Sequence, residues 1–379
     1  MLKFIKMGGG KNSGRNSSIE LLKLIAMFLI VVFHVNMSLE GSNAISPFHG
    51  TDSELTSTNF ILQMIKYLGA IGNVVFWICS CWFLTSDNRM SCRKVFYVIA
   101  DVWVISMLFL IPSMRYLGFS AIKGNILTCV FPTLFANNWY VTCYLLAFAI
   151  HPLLNRIIDG FDKQSYLRFV LAITLLYCVT SMFYEDLFFS SYLIIFIVIY
   201  FIIGYMKLYG ASIYDNVKIN IVMLATGICA LAAYNLVFGI LAVQYGVTSG
   251  HERFWRQMTN PFVIMTGISL FNLARRVDFR NNIINYLSGL TLFIYIIHEN
   301  QIVREFYRPS WWLWIVDRFG EEHVLVEHLM YSTLLFISAT ILALVYKETL
   351  HRLLTAIYGA IYERLCVVYR KIESRLLRV

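Results

Sequence analysis

NSSIELLKLIAMFLIVVFH, residues 16 to 34, is the stretch that decides the fold. From Leu21 onward it is almost entirely apolar, and about 20 such residues are what an α-helix needs to cross the hydrocarbon core of a bilayer. We therefore predict a membrane-spanning helix at residues 21–39. Glu20, Lys23 and His34 interrupt the apolar pattern, and ionisable groups at such depth need a reason to be there.

Apolar stretches of this kind recur almost to the C-terminus. Hydrophobic residues make up 59% of the 379 positions and charged residues only 14%, far from the balance of soluble domains. The sequence predicts an all-α fold, a polytopic membrane helix bundle with about ten transmembrane helices. The predicted spans are residues 21–39, 60–85, 95–114, 139–157, 167–184, 190–206, 219–243, 259–273, 285–300 and 329–346.

Positive charge is concentrated on one side of these spans. The net charge is +9, and most of the 31 Lys and Arg lie in segments that are cytoplasmic if the N-terminus is inside. By the positive-inside rule we expect a multi-pass protein of the cytoplasmic membrane with both termini in the cytoplasm.

The predicted spans form one membrane domain, residues 19–347. An N-terminal arm, residues 1–18, precedes it, and a basic tail, residues 348–379, follows it. The tail mixes Arg and Lys with Leu, Ile, Val and Tyr, which is typical of an amphipathic helix on an anionic inner leaflet. A solvated basic tail would have the same composition.

Composition also argues against two classes of site. Most of the eight cysteines lie inside apolar stretches and no CxxC pair occurs, so we expect no metal site. No soluble segment carries a basic stripe interleaved with aromatic residues, so we expect no nucleic-acid partner.

The ionisable residues of the first span share one helix face. Lys23 and His34 are eleven positions apart, which is close to three helical turns and about 16 Å along the axis. Glu20 lies one turn before Lys23 on nearly the same face. An anionic donor could dock at Lys23 and reach His34, whose imidazole suits a general base. Equally, His34 could hold a neighbouring helix and Lys23 could extend to the membrane surface.

Other polar residues fall within or beside predicted spans. Asp101 could pair with Arg93, two turns earlier, or orient another helix. His298 and Glu299 lie at the outer end of the ninth span, and His151 precedes a proline that shapes the end of the fourth. Each of these has a structural reading beside a catalytic one.

Two predicted outer loops are long, residues 115–138 and 301–328. The second contains Trp311, Trp312 and Trp314. Interfacial tryptophans usually anchor a loop at the headgroup level, and they can also form a platform on which a sugar ring stacks.

Four segments give the chain a resemblance to a known family. Glu20, Lys23 and His34 follow the order of an acidic residue, a cation, ten residues and a histidine. Residues 76–84 form a Phe-rich segment, residues 138–155 a fourth-span block beginning Asn-Trp-Tyr, and residues 290–300 a Tyr, two aliphatics, His pattern. In this order they resemble acyltransferase family 3, integral membrane proteins that acylate extracytoplasmic polysaccharides.

The chain departs from that family at two places. Lys23 stands where the family has Arg, which keeps the charge but not the bidentate fork that grips phosphate. Cys81 and Trp82 replace the Gly and Tyr of a Ser-Gly-Tyr segment.

The resemblance implies an O-acyltransferase, with acetyl as the expected group. The donor would be a cytoplasmic acyl-CoA such as acetyl-CoA, with no permanently bound cofactor. Lys23 and Arg93 would bind the donor phosphates. His34 would activate the hydroxyl or relay the acyl group, and Glu20 would hold or tune Lys23.

The same resemblance places the acceptor at the outer face. The acceptor would be a cell-surface polysaccharide or a lipid-linked glycan within reach of the bilayer. His298 and Glu299 would orient it, and Trp139 and Tyr144 of the fourth-span block would belong to the substrate-binding residues.

The residues alone also support a different class, a transporter or flippase for a lipid-linked glycan. Both classes need buried polar groups and a cavity. Transporters often break their helices with Gly or Pro near mid-span, whereas the six prolines here lie nearly all at helix ends or in loops. A noncatalytic assembly subunit is a third reading, in which His34 would be replaceable.

Overall fold

The computed structural model describes residues 16–40, 56–180, 192–210, 214–245, 258–320 and 323–376. Residues 1–15 of the predicted arm and 377–379 of the tail lie outside these ranges. The α-helices are α1 (Ser17–Glu40), α2 (Ser57–Leu84), α3 (Cys92–Tyr116), α4 (Phe119–Ile122), α5 (Ile126–Val130), α6 (Trp139–Asp159), α7 (Lys163–Ile173), α8 (Tyr192–Tyr209), α9 (Val217–Tyr245), α10 (Pro261–Arg276), α11 (Asn282–Ser288), α12 (Thr291–His298), α13 (Arg308–Phe319), α14 (Val324–Tyr346) and α15 (Arg352–Leu376).

Seven helical segments among the described residues are long and apolar enough to cross a membrane. They are α1, α2, α3, α6, α8, α9 and the continuous segment Val324–Ser374 that α14 and α15 form together. The prediction of an all-α, polytopic membrane bundle is confirmed.

The other three predicted spans correspond to shorter helices. Predicted span 167–184 falls on α7 and the π-helical turn Thr174–Val179, span 259–273 on α10, and span 285–300 on the broken pair α11 and α12. Residues 181–184, and the start of predicted span 190–206, lie outside the described residues. A helix of 16 residues is only about 24 Å long, less than the ~30 Å hydrocarbon core. Short or broken helices are tolerated at membrane depth where protein surrounds them.

α1 and the broken pair α11 and α12 lie side by side and run in the same direction. At one end, the Ser17 hydroxyl donates to Asn285 Oδ1 over 2.8 Å. One turn further along α1, the Ser288 hydroxyl donates to Glu20 Oε2 over 2.6 Å. The register continues to the far end, where His34 meets His298.

α1 also packs closely on α2 because glycines on α2 face it. A Cβ at Gly72 would lie 2.7 Å from the Ala26 carbonyl oxygen, and one at Gly69 would lie 2.3 Å from the Phe33 ring. Small residues let two membrane helices approach to backbone contact. The close approach brings the next residue of α2, Asn73, into the space beside α1.

The tail helix α15 is fastened to α3. The described helix continues from α14 through the π-helical turn Lys347–His351 into α15. His351 Nδ1 and the Tyr346 hydroxyl donate to Asp101 Oδ1 over 2.9 and 2.7 Å, and the Tyr358 hydroxyl lies 3.5 Å from the same oxygen. Asp101 therefore orients other helices, the second of its two predicted roles.

Candidate active site

The polar face predicted for α1 is present, and both of its ends are buried. At one end Lys23 Nζ lies 2.5 Å from Glu20 Oε2, as expected for residues one helical turn apart. Lys23 and Glu20 are 4% and 6% exposed. The Ser288 hydroxyl donates a second hydrogen bond to the same carboxylate oxygen, which fixes the pair against α11.

At the other end of this face, His34 lies beside His298 and Glu299. His34 Nδ1 lies 3.1 Å from His298 Nε2 and 3.0 Å from Glu299 Oε2. All three side chains are buried. The structure thus brings His34 together with His298 and Glu299, which are 264 or more positions away in the sequence.

The hydrogen bonds of this cluster assign the protons. His298 Nδ1 lies 2.7 Å from the Ile294 carbonyl oxygen, which can only accept, so His298 carries its proton on Nδ1. Its Nε2 is then an acceptor and takes a hydrogen bond from His34 Nδ1. A neutral His34 with its proton on Nδ1 has its lone pair on Nε2, the tautomer required of a base.

Two arginines that the sequence analysis did not select neutralise Glu299. Arg308 Nη1 lies 3.0 Å from Glu299 Oε2, and Arg304 Nη1 lies 3.3 Å from Oε1. Arg308 is 2% exposed, which is rare for an arginine unless it is paired. In the sequence, the signal for these arginines is their spacing, since Arg304 and Arg308 follow Glu299 by five and nine residues, on the next helical turns.

This cluster supports proton transfer. A carboxylate bound to Nδ1–H of a histidine holds the ring in place and stabilises the imidazolium that forms when Nε2 takes a proton. His34, His298 and Glu299 also offer three ligand atoms within 4.8 Å of one another, a His and carboxylate set that can hold zinc. In this structure, however, these ligand atoms are bonded to protein groups. Arg308 pairs with Glu299 Oε2, and His34 Nδ1 shares a hydrogen bond with His298 Nε2.

A small cavity lies between the two ends of the polar face. α1 lines it with Met27, one turn after Lys23, and Ile30, one turn before His34. α2, α6 and α12 supply the other walls, including the predicted residue Tyr144. Its mostly apolar walls suit a thin organic chain better than a hydrated sugar.

The remaining predicted site residues lie apart from this cavity or at its edge. Trp139 stacks on Tyr192 with ring centroids 4.2 Å apart. Arg93 is exposed at the start of α3, where its Nε donates to the Tyr97 hydroxyl over 3.1 Å. Lys23, in contrast, is buried and paired with Glu20. Of the two cations proposed for the donor phosphates, one is therefore buried and the other is at the surface.

The tryptophans after residue 310 divide into two groups. Trp311 and Trp314 are 47% and 62% exposed, as interfacial anchors are, whereas Trp312 is fully buried. Trp312 packs with Tyr331, whose hydroxyl donates to the Arg308 carbonyl oxygen over 2.9 Å. This contact connects α14 to the segment that holds Glu299.

Other buried polar residues have structural partners. His151 bridges the Phe148 and Asp87 carbonyl oxygens over 2.5 and 2.8 Å, and so closes the turn after α2 onto α6. In contrast, some buried polar atoms of α14 have no hydrogen-bond partner in the described part of the chain, namely both carboxylate oxygens of Glu327, Nε2 of His328 and the hydroxyl of Ser332. Glu327 and His328 belong to this helix, although the sequence pattern predicts a loop over residues 301–328 because these residues precede the apolar run.

Comparison with known proteins gave one match. A family model described as an acyltransferase domain matches residues 16–348, and this range includes every residue of the cluster and the cavity. Searches of the curated proteins and of the solved structures gave no match.

Proposed function

The chain belongs to acyltransferase family 3, and we propose that it moves an acyl group, with acetyl as the expected one, from a cytoplasmic acyl-CoA to a hydroxyl of a cell-surface or lipid-linked polysaccharide. The observation that carries the proposal is one helix face. It begins at the buried Lys23, passes a cavity, and ends at His34, whose Nδ1 is held by Glu299.

In the proposed reaction His34 is the general base. Its Nε2 takes the proton of the acceptor hydroxyl while the hydroxyl oxygen attacks the thioester carbonyl carbon. The new C–O bond forms, the C–S bond breaks, and the leaving thiolate takes the proton from His34. Glu299 stabilises the transient imidazolium, and Arg308 keeps Glu299 ionised in its buried position.

Lys23 would bind the donor phosphates at the other end of the cavity. Its pairing with Glu20 supports the role proposed for that carboxylate, which is to hold the ammonium in place. Arg93 could receive a phosphate only outside the cavity, at the surface of α3. We propose His298 as the group that fixes the tautomer of His34, and Trp139 and Tyr144 as substrate contacts.

We propose that the protein lies in the cytoplasmic membrane with both termini cytoplasmic, and the concentration of Lys and Arg in the predicted cytoplasmic segments supports this orientation. Lys23, at the donor end, would then face the acyl-CoA pool, and His34 would lie towards the glycan side. The tail helix exposes apolar residues such as Ile357, Ile361 and Leu365 beside its basic ones. This pattern supports the proposal that α15 lies along the anionic inner leaflet.

Acyl transfer by the purified protein tests the function. The protein in lipid is given labelled acetyl-CoA and a glycan fraction from its own cells, and label in the glycan is counted. We expect His34→Ala to abolish transfer, because Nε2 is lost, and His323→Ala to retain it, since His323 is an exposed histidine at the start of α14.

Two outcomes would reject the proposal. Full activity of His34→Ala would remove the base from the mechanism. If no label moves but the glycan crosses the bilayer, the protein is a transporter built on the acyltransferase scaffold.

A further inference from the structure

The cavity contains two polar groups that the mechanism does not use. Asn73 Oδ1 on α2 and the Tyr295 hydroxyl on α12 both line it, and neither has a hydrogen-bond partner among the described residues. Asn73 is 7% exposed and Tyr295 is 3% exposed. A polar group buried without a partner is costly, and more so inside a bilayer, where water cannot supply the missing bond.

Other buried asparagines of the bundle do have partners. The Asn36 amide donates to the Leu62 carbonyl oxygen over 2.7 Å, and the Asn155 amide donates to Asn88 Oδ1 over the same distance. Asn272 donates to Asn220 Oδ1 over 3.0 Å. Asn73 therefore differs from them, because its side-chain oxygen has no partner within the part of the chain that the structure describes.

We propose that Asn73 and Tyr295 bind the amide-bearing arm of the acyl donor, with the Asn73 carboxamide paired to a secondary amide of that arm. The inference rests on the proposed function, because it takes the donor to be an acyl thioester of CoA. A carboxamide offers both a donor and an acceptor, the complement of a secondary amide, and the Tyr295 hydroxyl can donate to a carbonyl oxygen.

The position of the two residues fits this ligand. The pantetheine arm of CoA joins charged phosphates to the thioester, and it is as long as four to five extended residues, or about 16 Å. The path along α1 from Lys23 to His34 has about the same length. Asn73 and Tyr295 lie between these ends, where the amides of the arm would lie if phosphate is at Lys23 and the thioester is near His34.

Equilibrium binding with two probes tests the inference without requiring turnover. Ethyl-CoA carries the whole arm but no reactive thioester, and adenosine 3′,5′-bisphosphate carries phosphates without the arm. For Asn73→Leu in lipid discs we expect the Kd of ethyl-CoA to rise about tenfold and that of the bisphosphate to stay unchanged. Tyr295→Phe should weaken ethyl-CoA binding in the same selective way.

Stability provides a second readout that separates ligand binding from a structural role. Asn73→Leu removes an unpartnered polar group from an apolar wall, so its Tm without ligand should be equal to or above that of the wild type. Asn155→Leu is the matched control, since it removes an asparagine whose amide is bonded, and its Tm should fall.

Equal weakening of both probes by Asn73→Leu, or no weakening of ethyl-CoA, would overturn the inference. So would a wild-type protein that binds neither probe. If the wild type binds ethyl-CoA through Asn73 yet transfers no acyl group, the proposed function fails while the inference stands.

Discussion

At the scale of single residues, the chemistry depends on which nitrogen of His34 carries the proton. The Ile294 carbonyl oxygen fixes the proton of His298 on Nδ1, and His298 with Glu299 then fixes the proton of His34 on Nδ1. In the proposed reaction, two acceptors therefore prepare His34 as the base, a backbone carbonyl that acts through His298 and the carboxylate of Glu299. Glu299 matters most among them because only it adds a negative charge beside the imidazolium.

Glu299→Gln should therefore lower kcat more than it weakens donor binding. The amide keeps the shape of the side chain but can present N–H to His34 Nδ1 and favour the wrong tautomer, so we expect a fall of about 10²- to 10⁴-fold. Steady-state kinetics in lipid with labelled acetyl-CoA measures it. A kcat within twofold of the wild type would show that the carboxylate does not support the base.

Lys23 gives a second prediction at this scale. Lys23→Arg should keep donor binding because the charge remains, while Lys23→Met should weaken binding of both ethyl-CoA and adenosine 3′,5′-bisphosphate by about tenfold or more. Loss of the ammonium also leaves Glu20 buried without its cation. The double variant Lys23→Met with Glu20→Gln is the control, since it restores charge balance; recovery of nucleotide binding there would argue against a phosphate contact.

At the scale of helices, Asp101 joins three elements that are distant in sequence. One carboxylate oxygen accepts from Tyr346 at the end of α14 and from His351 in the π-helical turn, close to Tyr358 of α15. These contacts hold α15, with its exposed basic residues and its apolar stripe, in a fixed position against α3. The arrangement explains a buried aspartate that takes no part in the candidate active site.

Asp101→Ala should consequently destabilise the protein and release α15. Removing the acceptor leaves the Tyr346 hydroxyl and His351 without it, at a cost of about 3 kcal/mol in the free energy of unfolding. Thermal unfolding in detergent and protease cleavage within residues 352–376 measure the two effects. Asp159→Ala, at an exposed position at the end of α6, is the control, and its stability should match that of the wild type. If Asp101→Ala is as stable as Asp159→Ala, the Asp101 carboxylate does not hold α15 in place.

At the scale of the whole molecule, two buried clusters of ionisable residues lie at the two ends of one face of α1. α1 runs beside α11 and α12 in the same direction. α11 contacts α1 at the Lys23 end, and α12 contacts it at the His34 end. The proposed orientation puts Lys23 on the cytoplasmic side and His34 on the outer side. Membrane topology is thus part of the mechanism that we propose, in which the donor and the acceptor are in different compartments.

Cysteine labelling tests this orientation. In a variant with Cys92 replaced by serine, Arg89→Cys lies in the turn before α3 and Gly124→Cys lies in the segment after it, and both positions are exposed. In intact cells a membrane-impermeant maleimide should label position 124 and not position 89, and permeabilised cells should show both. Labelling of position 89 alone in intact cells would invert the proposed topology.

The amino-acid sequence by itself determined the membrane class, most of the long helices and the shared face of Glu20, Lys23 and His34. These features follow from local rules, namely the length of apolar stretches, the distribution of charge and the helical period. Only the tertiary structure decided which groups meet. It brought His298 and Glu299 to His34 and showed Arg304 and Arg308 on the carboxylate. It also gave Asp101 its partners and left Asn73 Oδ1 without one among the described residues. Such pairings join residues far apart in the chain, and helix packing, not local sequence, sets the register that brings them within hydrogen-bond distance.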